Sequence, residues 1–483
     1  MNIPEAWLHA QIYIDGTFRP SLTEKRYQVT NPANGQEVGS APNASAEDAA
    51  LAVEAASRAF KPWAALTALE RSRILRKFYD EILAHQEALA QLITAEEGKP
   101  LGEARGEAAI GAEYVAWYAE EARRIYGETV PGASVNQRIL ILRQPVGVVG
   151  AITPWNFPVS MITRKMAPAL AAGCTVVLKP AEQTPLSALA LAALADRAGM
   201  PKGVFNVITS ENPVDIGRVL LDDDRVRKLS FTGSTEVGKY FIRESASQVK
   251  KISMELGGHA PTLVFADADM DQAVAGVIAS KFRNAGQTCI CLNRVLVEAS
   301  IAQEFGEKLA KAVSRLTVGD GSQPGIDVGP LINAEGLDKV EAQVSNAVAM
   351  GARVACGGMR VGDQHGNFYA PTVLLDVRPG MKIMQEETFG PVAPVVSFKD
   401  ERDAIAIAND TVYGLASYVF TRDISRVLRV SEQLEYGIVG VNDPVPTVVE
   451  APFGGVKQSG FGREGGHWGL DPFLEVKYVS IRI

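Results

Sequence analysis

Residues 145–158 read PVGVVGAITPWNFP, an apolar run that ends in a turn containing two prolines. A short apolar run bounded by turn residues is typical of a buried strand. Similar runs and helical stretches then alternate along the chain: strands at 175–178, 204–208 and 228–231, and helices at 185–197 and 235–245. This alternation predicts a parallel sheet with both faces covered, which is a common platform for a nucleotide.

A second alternating series follows the first. Its predicted elements are strands at 263–265, 294–297, 393–398 and 416–420, and helices at 270–282, from 300 and from 401. Two α/β domains are therefore expected, and they should meet near residues 255–260. Upstream of both series, residues 45–48 and 67–70 have the pattern of helix starts, so the first third of the chain is predicted to be mostly helical.

Two segments fit neither sheet. Residues 138–143 (RILILR) and 473–483 (FLEVKYVSIRI) alternate as exposed strands do. An uncovered strand edge invites pairing with another chain, which favours a small oligomerisation element. A hairpin folded onto its own domain is the alternative.

Composition excludes several function classes. The net charge of −8 argues against nucleic acid as the main partner. Four cysteines are too few for a disulfide scaffold and suit a reducing compartment. The first residues do not resemble a signal peptide, and no run of about 18 apolar residues occurs. We expect a cytoplasmic protein that has no membrane partner and no metal site.

Two residues stand out as candidate reactive groups. Cys289 lies in a loop of small and polar residues, 282–291 (FRNAGQTCIC), that can hold its sulfur open. A free thiol is little ionised at neutral pH, so a nucleophilic cysteine needs a base nearby. Glu255 ends a predicted strand and can accept a proton. Taken alone, an inert core cysteine and a surface or capping carboxylate are the better interpretations of these two residues.

Three further groups follow strand ends. Asn156 lies in the rigid turn between two prolines, where its amide can face an oxyanion or form an Asx turn. Lys179 and Glu182 are spaced to hold ribose hydroxyls or to form a simple ion pair. Residues 233–238 (GSTEVG) open a helix whose backbone donors suit a pyrophosphate, although the usual dinucleotide fingerprint is absent.

Taken together, the motifs closely resemble the aldehyde dehydrogenase superfamily over nearly the whole chain. The most specific stretches are PWNFP (154–158), KPAEQTP (179–185), FTGSTEVG (231–238), MELGG (254–258), GQTC (286–289), EETFGPV (386–392) and PFGG (452–455). The resemblance implies a Rossmann-like cofactor domain, a second α/β catalytic domain and a small β oligomerisation element. The implied boundaries are 1–125 and 145–256 for the NAD-binding domain, 257–440 for the catalytic domain, 126–144 and 471–483 for the oligomerisation strands, and 441–470 for a return to the cofactor domain.

The resemblance also implies roles. Cys289 attacks the aldehyde, Asn156 and the Cys289 amide stabilise the oxyanion, and Glu255 activates the water that hydrolyses the thioester. Lys179 is implied to be both catalytic and cofactor-binding. The other implied cofactor ligands are Trp155, Glu182, Gly233, Ser234, Leu256, Glu387 and Phe389. A carboxylate at Glu182 favours NAD, with NADP as the alternative, and a homodimer or homotetramer is implied.

The implied substrate is a small aldehyde, because the closest branch is that of the succinate and glutarate semialdehyde dehydrogenases. In that branch, residues matching Arg164 and Arg283 grip a far carboxylate, whereas a structural ion pair is the alternative for each. Thr447 stands where the branch usually has a substrate-binding serine. Asp443 in the same loop would be unhelpful beside an anion unless it points away. An α-ketoglutarate or glutarate semialdehyde, or an uncharged aldehyde, remains open.

Three other features qualify the resemblance. Cys291 lies two residues after the nucleophile, which suggests a reversible disulfide that would require an irregular loop. A dehydrogenase that releases its thioester to CoA would lack a carboxylate at the general-base position, and Glu255 is present. A non-enzymatic protein on the same scaffold would lack the nucleophile or the oxyanion donor, and Cys289 and Asn156 are both present.

Overall fold

The N-terminal helices begin at the residues that the sequence indicates. In the computed structural model, which describes residues 3–362 and 366–483, Ser45 and Thr67 each cap a helix and complete a capping box. The α-helices are α1 (Glu5–Leu8), α2 (Ala46–Ala65), α3 (Ala68–Ala84), α4 (Gln86–Glu97), α5 (Leu101–Glu121), α6 (Ser160–Ala172), α7 (Pro185–Arg197), α8 (Pro213–Asp222), α9 (Thr235–Ser245), α10 (Met270–Lys281), α11 (Ala302–Val313), α12 (Ala334–Ala349), α13 (Lys382–Gln385), α14 (Glu401–Asn409) and α15 (Ile424–Gln433).

The strands fall into four sheets. They are β1 (Ile12–Ile14), β2 (Thr17–Arg19), β3 (Arg26–Thr30), β4 (Glu37–Pro42), β5 (Glu128–Pro131), β6 (Gln137–Pro145), β7 (Val148–Ile152), β8 (Thr175–Lys179), β9 (Phe205–Val207), β10 (Val226–Thr232), β11 (Lys251–Glu255), β12 (Ala260–Val264), β13 (Leu292–Glu298), β14 (Arg353–Cys356), β15 (Thr372–Leu375), β16 (Val392–Phe398), β17 (Ala416–Phe420), β18 (Ile438–Val441), β19 (Gly460–Phe461) and β20 (Leu474–Arg482).

The first sheet has the order β19-β11-β10-β7-β8-β9-β1-β2. Its five central strands, from β11 to β9, pair in parallel, and both edges are antiparallel. The central strands are almost wholly buried, as the continuous apolar runs of the sequence predict. Parallel pairing brings the carboxyl ends of these strands to one edge of the sheet, where α/β proteins bind ligands.

The second sheet has the order β14-β15-β16-β13-β12-β17-β18, parallel except for the edge strand β14. Its core is separate from the cores that pack on the first sheet. The structure therefore contains the two α/β units that the alternating pattern predicts. The domain boundaries implied by the resemblance stay a prediction. The assignment of cofactor binding to one domain and catalysis to the other also stays a prediction.

The two segments predicted as exposed strands pair with each other. β20 and β6 are antiparallel over nine residue pairs, and β5 completes a three-stranded sheet. Val476 and Tyr478 on β20 are 68% and 57% exposed, so an apolar surface faces outward. The oligomeric state itself stays a prediction. Within residues 3–362 and 366–483, no helix is both long and apolar enough to cross a bilayer.

Candidate active site

The ends of four parallel strands assemble the first part of the site. In the register of the sheet, Ile152 lies beside Lys179 on one side and Phe231 on the other, and Thr232 lies beside Glu255. The segments that follow these strands therefore emerge next to one another. The sequence motifs at 154–158, 179–185 and 231–238 meet for this reason.

Cys289 lies where two cavities meet. The first cavity has a volume of about 550 Å³ and the second about 340 Å³, and Cys289 and Met161 line both of them. The thiol is only partly buried, as a loop of small and polar residues predicts. Burial raises the pKa of the Cys289 thiol to about 12, and the positive charge of Arg164 opposes that shift. The thiol must therefore lose its proton before it can act as a nucleophile.

The first cavity is lined mainly by residues from the recognised motifs. Six of the eight predicted cofactor ligands line it: Trp155, Gly233, Ser234, Leu256, Glu387 and Phe389. Ser234 caps α9, which begins at this cavity and offers the positive end of its dipole to an anion. The carboxylate of Glu387 accepts the N–H of Gly258 at 2.9 Å, and burial raises its pKa to about 7. These features fit a dinucleotide with its pyrophosphate at the start of α9.

The two remaining predicted ligands lie beside the first cavity. Lys179 donates to Glu182 at 3.1 Å, and burial lowers the pKa of Lys179. Glu182 lines a third cavity of about 360 Å³, which shares Gln183 with the first. A second carboxylate, Glu211, also lines this third cavity, together with Glu96, whose pKa is raised to about 8 by burial.

Asn156 faces the nucleophile loop. Its amide nitrogen donates to the backbone carbonyl of Gln287 at 2.9 Å, two residues before Cys289. A side-chain amide carries two N–H donors, so one remains for another acceptor. The residue is 3% exposed and lines the first cavity. An Asx turn would need the side-chain oxygen of Asn156 to accept a backbone N–H two residues further on, and among the described residues that oxygen has no hydrogen-bond partner.

Glu255 is more enclosed than the sequence suggests. It is 3% exposed and is not among the described residues that line the three cavities, although its charge influences Cys289. Burial, and then the charge of Glu464, raise the pKa of Glu255 well above its ordinary value, against Arg164. Within the described chain, its Oε2 has no hydrogen-bond partner. The carboxyl group is therefore poised to exchange a proton.

The second cavity contains both predicted substrate arginines. The Nε of Arg164 lies 2.6 Å from Oε2 of Glu464, and its guanidinium lies 4.0 Å from the centre of the Phe453 ring. Lys165 also bonds to Glu464. Arg164 therefore belongs to a buried ion-pair cluster, which is the structural alternative weighed from the sequence, and at the same time it lines the cavity.

Arg283 and Thr447 are polar groups of this cavity that have few partners among the described residues. In the described part of the chain, Arg283 forms no ion pair, and its guanidinium lies 5.1 Å from the centre of the Phe157 ring. The hydroxyl of Thr447 is buried and has no hydrogen-bond partner among the described residues. Asp443 is exposed, accepts the N–H of Val445, and is not among the described residues that line this cavity.

Cys291 is turned away from the nucleophile's surroundings. It is 1% exposed, and its sulfur contacts the backbone carbonyls of Lys281 and Leu292 at 3.7 and 3.8 Å. Both cysteines are free thiols in the structure. A disulfide to Cys289 would require the loop to rearrange, and the redox switch stays a prediction.

The sequence did not reveal several buried polar groups around the site. They are Lys99, Glu103, Glu107 and Glu464, which lie close to the loops of Asn156 and Cys289 or to Arg164. Glu464 lies 300 residues after Arg164, so no local spacing could pair them. The acidic pair Glu103 and Glu107 has helical i, i+4 spacing, which indicates one shared face but not what that face contacts.

Comparisons with known proteins identify relatives that match nearly the whole chain. The chain is 53% identical over 471 residues to a succinate-semialdehyde dehydrogenase of Escherichia coli K12 whose name specifies NADP(+), with 98% of this chain and 97% of that protein covered. It is 54% identical over 474 residues to the 3-sulfolactaldehyde dehydrogenase of Pseudomonas putida, with coverage of 98% and 97%. The crystal structure of a succinate-semialdehyde dehydrogenase from Burkholderia pseudomallei matches with a TM-score of 0.98 at 48% identity, over 100% of both chains.

The family model agrees with these relatives. The description "aldehyde dehydrogenase family" matches residues 18–479, and the solved structure shares the two α/β units described above. The sequence prediction of the superfamily, and of a resemblance to its succinate and glutarate semialdehyde dehydrogenases, is thereby confirmed. The chain belongs to the aldehyde dehydrogenase family and is an NAD(P)-dependent oxidoreductase that oxidises aldehydes.

Proposed function

We propose that this enzyme oxidises a small aldehyde whose far end carries an anionic group, with succinate semialdehyde as the leading substrate and NAD as the preferred cofactor. The observation that carries the proposal is the second cavity. It leads to Cys289 and contains an unpaired guanidinium at Arg283 and an unpaired hydroxyl at Thr447. An aldehyde carbon at the thiol and a carboxylate at these donors would satisfy both ends of such a substrate.

Arg164 has a second role in this proposal. Glu464 already balances its charge, but Lys165 shares the same carboxylate, so the three residues together keep a surplus positive charge. That surplus favours an anion in the adjoining cavity. Arg283 is then the direct ligand of the substrate carboxylate, Thr447 adds a hydroxyl donor, and Arg164 adds electrostatic attraction. Asp443 is not among the described residues that line the cavity, and its carboxylate is exposed to solvent, which weakens its repulsion of a bound anion.

In the proposed reaction, the Cys289 thiol loses its proton to water, and the resulting thiolate attacks the carbonyl carbon and forms a thiohemiacetal. The amide of Asn156 and the backbone N–H of Cys289 stabilise the oxygen while it carries negative charge. The residues that line the first cavity would hold NAD(P), which would supply the hydride acceptor, and loss of the hydride from the thiohemiacetal leaves a thioester on Cys289. Lys179 and Glu387 hold the two ribose units, so that the first cavity presents the hydride acceptor to the thiohemiacetal.

Hydrolysis completes the cycle. Glu255, in its carboxylate form, removes a proton from water as the water attacks the thioester carbon. The C–S bond then breaks, the acid leaves, and the Cys289 sulfur is free for another turn. Burial of Glu255 raises its pKa, which suits a group that must accept a proton and pass it on near neutral pH.

The preference for NAD follows from charge around the third cavity. Glu182 is bonded to Lys179, so the lysine is not free to receive a phosphate, and Glu211 adds a further acidic group. A 2′-hydroxyl can donate to Glu182, whereas a 2′-phosphate would meet two carboxylates. The relative from Escherichia coli is named for NADP(+). The NAD preference proposed for this chain rests on Glu182.

We further propose that the exposed sheet of β5, β6 and β20 joins copies of this chain into a homodimer or homotetramer. Its outward apolar side chains and free strand edge support this role. Sedimentation velocity of the wild type beside Tyr478→Glu tests it. The variant is expected to shift to a smaller species, and an unchanged assembly would refute the proposal.

The substrate is tested by kcat/KM with NAD and with NADP for succinate semialdehyde, glutarate semialdehyde, α-ketoglutarate semialdehyde, 3-sulfolactaldehyde and butanal. We expect an anionic aldehyde to exceed butanal by about 100-fold, the worth of one charged contact of roughly 3 kcal/mol. The anionic aldehyde with the highest value identifies the far group and the chain length. Equal or better turnover of butanal would refute an anionic substrate while leaving the family unaffected.

A further inference from the structure

A buried ion pair lies against the turn that holds Asn156. Lys99 and Glu107 are each 1% exposed, and the Nζ of Lys99 donates to Oε2 of Glu107 at 2.5 Å. Neither is among the described residues that line the three cavities. Taking two charges out of water is costly, and hydrophobic side chains of similar volume would often be as stable. The position of this pair therefore calls for an explanation beyond stability.

Both members of the pair bind the backbone on either side of Phe157. Lys99 donates a second hydrogen bond to the carbonyl oxygen of Asn156 at 2.7 Å, and its ammonium lies 3.9 Å from the centre of the Phe157 ring. The second oxygen of Glu107 accepts the N–H groups of Val159 at 2.8 Å and Ser160 at 3.3 Å. The segment from residue 156 to residue 160 is thus held at both ends.

The same turn is bonded to the nucleophile loop. Asn284 donates its side-chain amide to the carbonyl oxygen of Asn156 at 3.0 Å, and the Asn156 amide donates to Gln287 at 2.9 Å. The Asn156 carbonyl therefore has two charged or polar donors, one from each side. Through these bonds, the distance between the Asn156 amide and Cys289 depends on where Lys99 holds the turn.

We propose that Lys99 and Glu107 are positioning residues that fix the Asn156 amide relative to Cys289. The inference rests on the proposed oxyanion role of Asn156 and extends it to two residues that touch neither substrate nor cofactor. Misplacement of a catalytic group by about 1 Å can cost on the order of 100-fold in rate. A loosened turn should therefore slow the step in which the oxyanion forms.

A purely structural role would give a different pattern, and the chain offers a matched control. Lys228 is also a fully buried lysine, which donates to the hydroxyl of Ser253 at 2.5 Å and lies 5.0 Å from the Phe473 ring centre. It has no bond to the turn of Asn156. Lys228→Met therefore removes another fully buried lysine, whose pKa is lowered to about 7 by burial, without loosening that turn.

The experiment compares Lys99→Met, Lys228→Met, Asn156→Ala and the Lys99→Met/Asn156→Ala double variant. We expect Lys99→Met to lower kcat by at least about tenfold, which is less than the fall in kcat when an oxyanion donor is removed completely. The KM for NAD should stay unchanged within about twofold. In the Asn156→Ala background, the same substitution should change kcat by less than about twofold. Alkylation of Cys289 by iodoacetamide should be unaffected, because displacement of iodide by sulfur builds no oxyanion.

Three outcomes would overturn the inference. Equal losses from Lys99→Met with and without Asn156 would show that it does not act through Asn156. An equal fall of kcat in Lys228→Met would show a general effect of losing a buried lysine. Wild-type kcat in Asn156→Ala would refute the proposed oxyanion role itself. Where Lys99→Met does not fold, Glu107→Gln, which keeps the side-chain shape, is carried through the same cycle.

Discussion

The two cavities that meet at Cys289 are built in different ways. The first is lined largely by residues of short continuous motifs, several of which directly follow parallel strands. The second is assembled from α5, α6, the nucleophile loop and the segments near residues 445 and 453. The first is thus determined by local sequence, and the second by how distant segments pack. The difference implies that the reaction class can be read from the motifs, whereas the substrate depends on long-range contacts.

The largest effect is expected at the residue that both cavities share. Cys289→Ala should lower kcat/KM for every aldehyde by about 10⁴-fold or more, because it removes the nucleophile. Binding of NADH, followed by its fluorescence, should remain within a few-fold of wild type. Cys291→Ala is the matched control and should retain activity, because its sulfur is buried and faces backbone carbonyls. Substantial turnover by Cys289→Ala would disprove covalent catalysis at this residue.

The second prediction separates the two arginines of the second cavity. Arg283→Ala should reduce kcat/KM for succinate semialdehyde by about 100-fold and leave butanal nearly unchanged, because it removes one charged contact of roughly 3 kcal/mol. Arg164→Ala should lower kcat/KM for succinate semialdehyde less than Arg283→Ala does, but should lower the free energy of unfolding by about 3 kcal/mol, because it breaks a buried pair with Glu464. Kinetics and urea unfolding of both variants measure the contrast. Identical behaviour of the two variants would mean that the ion pair of Arg164 does not distinguish it from Arg283.

The third prediction concerns proton transfer at Glu255. Because burial raises its pKa, the carboxylate form that activates water is lost as the pH falls through that raised value. At saturating substrate, kcat should therefore decline toward acid with a midpoint well above the ordinary pKa of about 4.5 for a glutamic acid. A profile of kcat from about pH 5 to about pH 9 measures it. A flat profile down to the lower limit would exclude Glu255 as a base with a raised pKa whenever hydrolysis limits the rate.

The smallest effect is expected at the far end of the first cavity. Glu182→Gln should shift the ratio of kcat/KM for NAD over NADP toward NADP by about tenfold. The substitution removes a negative charge beside the 2′-position, and the repulsion that is lost is worth about 1.4 kcal/mol. Glu211→Gln, which alters the second acidic group of the third cavity, should shift the ratio less. No change in either variant would mean that these carboxylates do not select the cofactor.

The difference between the cavities also explains what the sequence could predict. The helices α7 and α9 have the predicted bounds, and the strands before the site motifs lie where the apolar runs indicate, because each depends on local pattern. Small differences occur at element ends: α10 ends at Lys281 rather than 282, and β12 begins at Ala260 rather than 263. The exact first and last residues of an element depend on its packing against neighbouring elements, which sequence periodicity does not reveal.

Long-range pairings were beyond sequence reasoning. The partnership of Arg164 with Glu464, and that of Lys99 with the Asn156 carbonyl, joins segments far apart in the chain. The sequence also left open where Asp443 points, and the structure shows it in its own turn with Val445. These contacts determine charge in and around the second cavity. The resemblance of the whole chain to a family branch could therefore suggest the substrate, whereas no single motif in the sequence could identify it.

The most direct test is to stop the proposed reaction between its two halves. Glu255→Gln should still form the thioester but hydrolyse it slowly, so mixing it with NAD and succinate semialdehyde should leave a succinyl group on Cys289. Intact-protein mass spectrometry, followed by peptide mapping, measures that adduct. We predict near-complete modification of Cys289, little with butanal at the same concentration, and none in Glu255→Gln/Cys289→Ala. An unmodified Cys289 after NADH has formed, or equal modification by butanal, would contradict the proposed mechanism and its substrate.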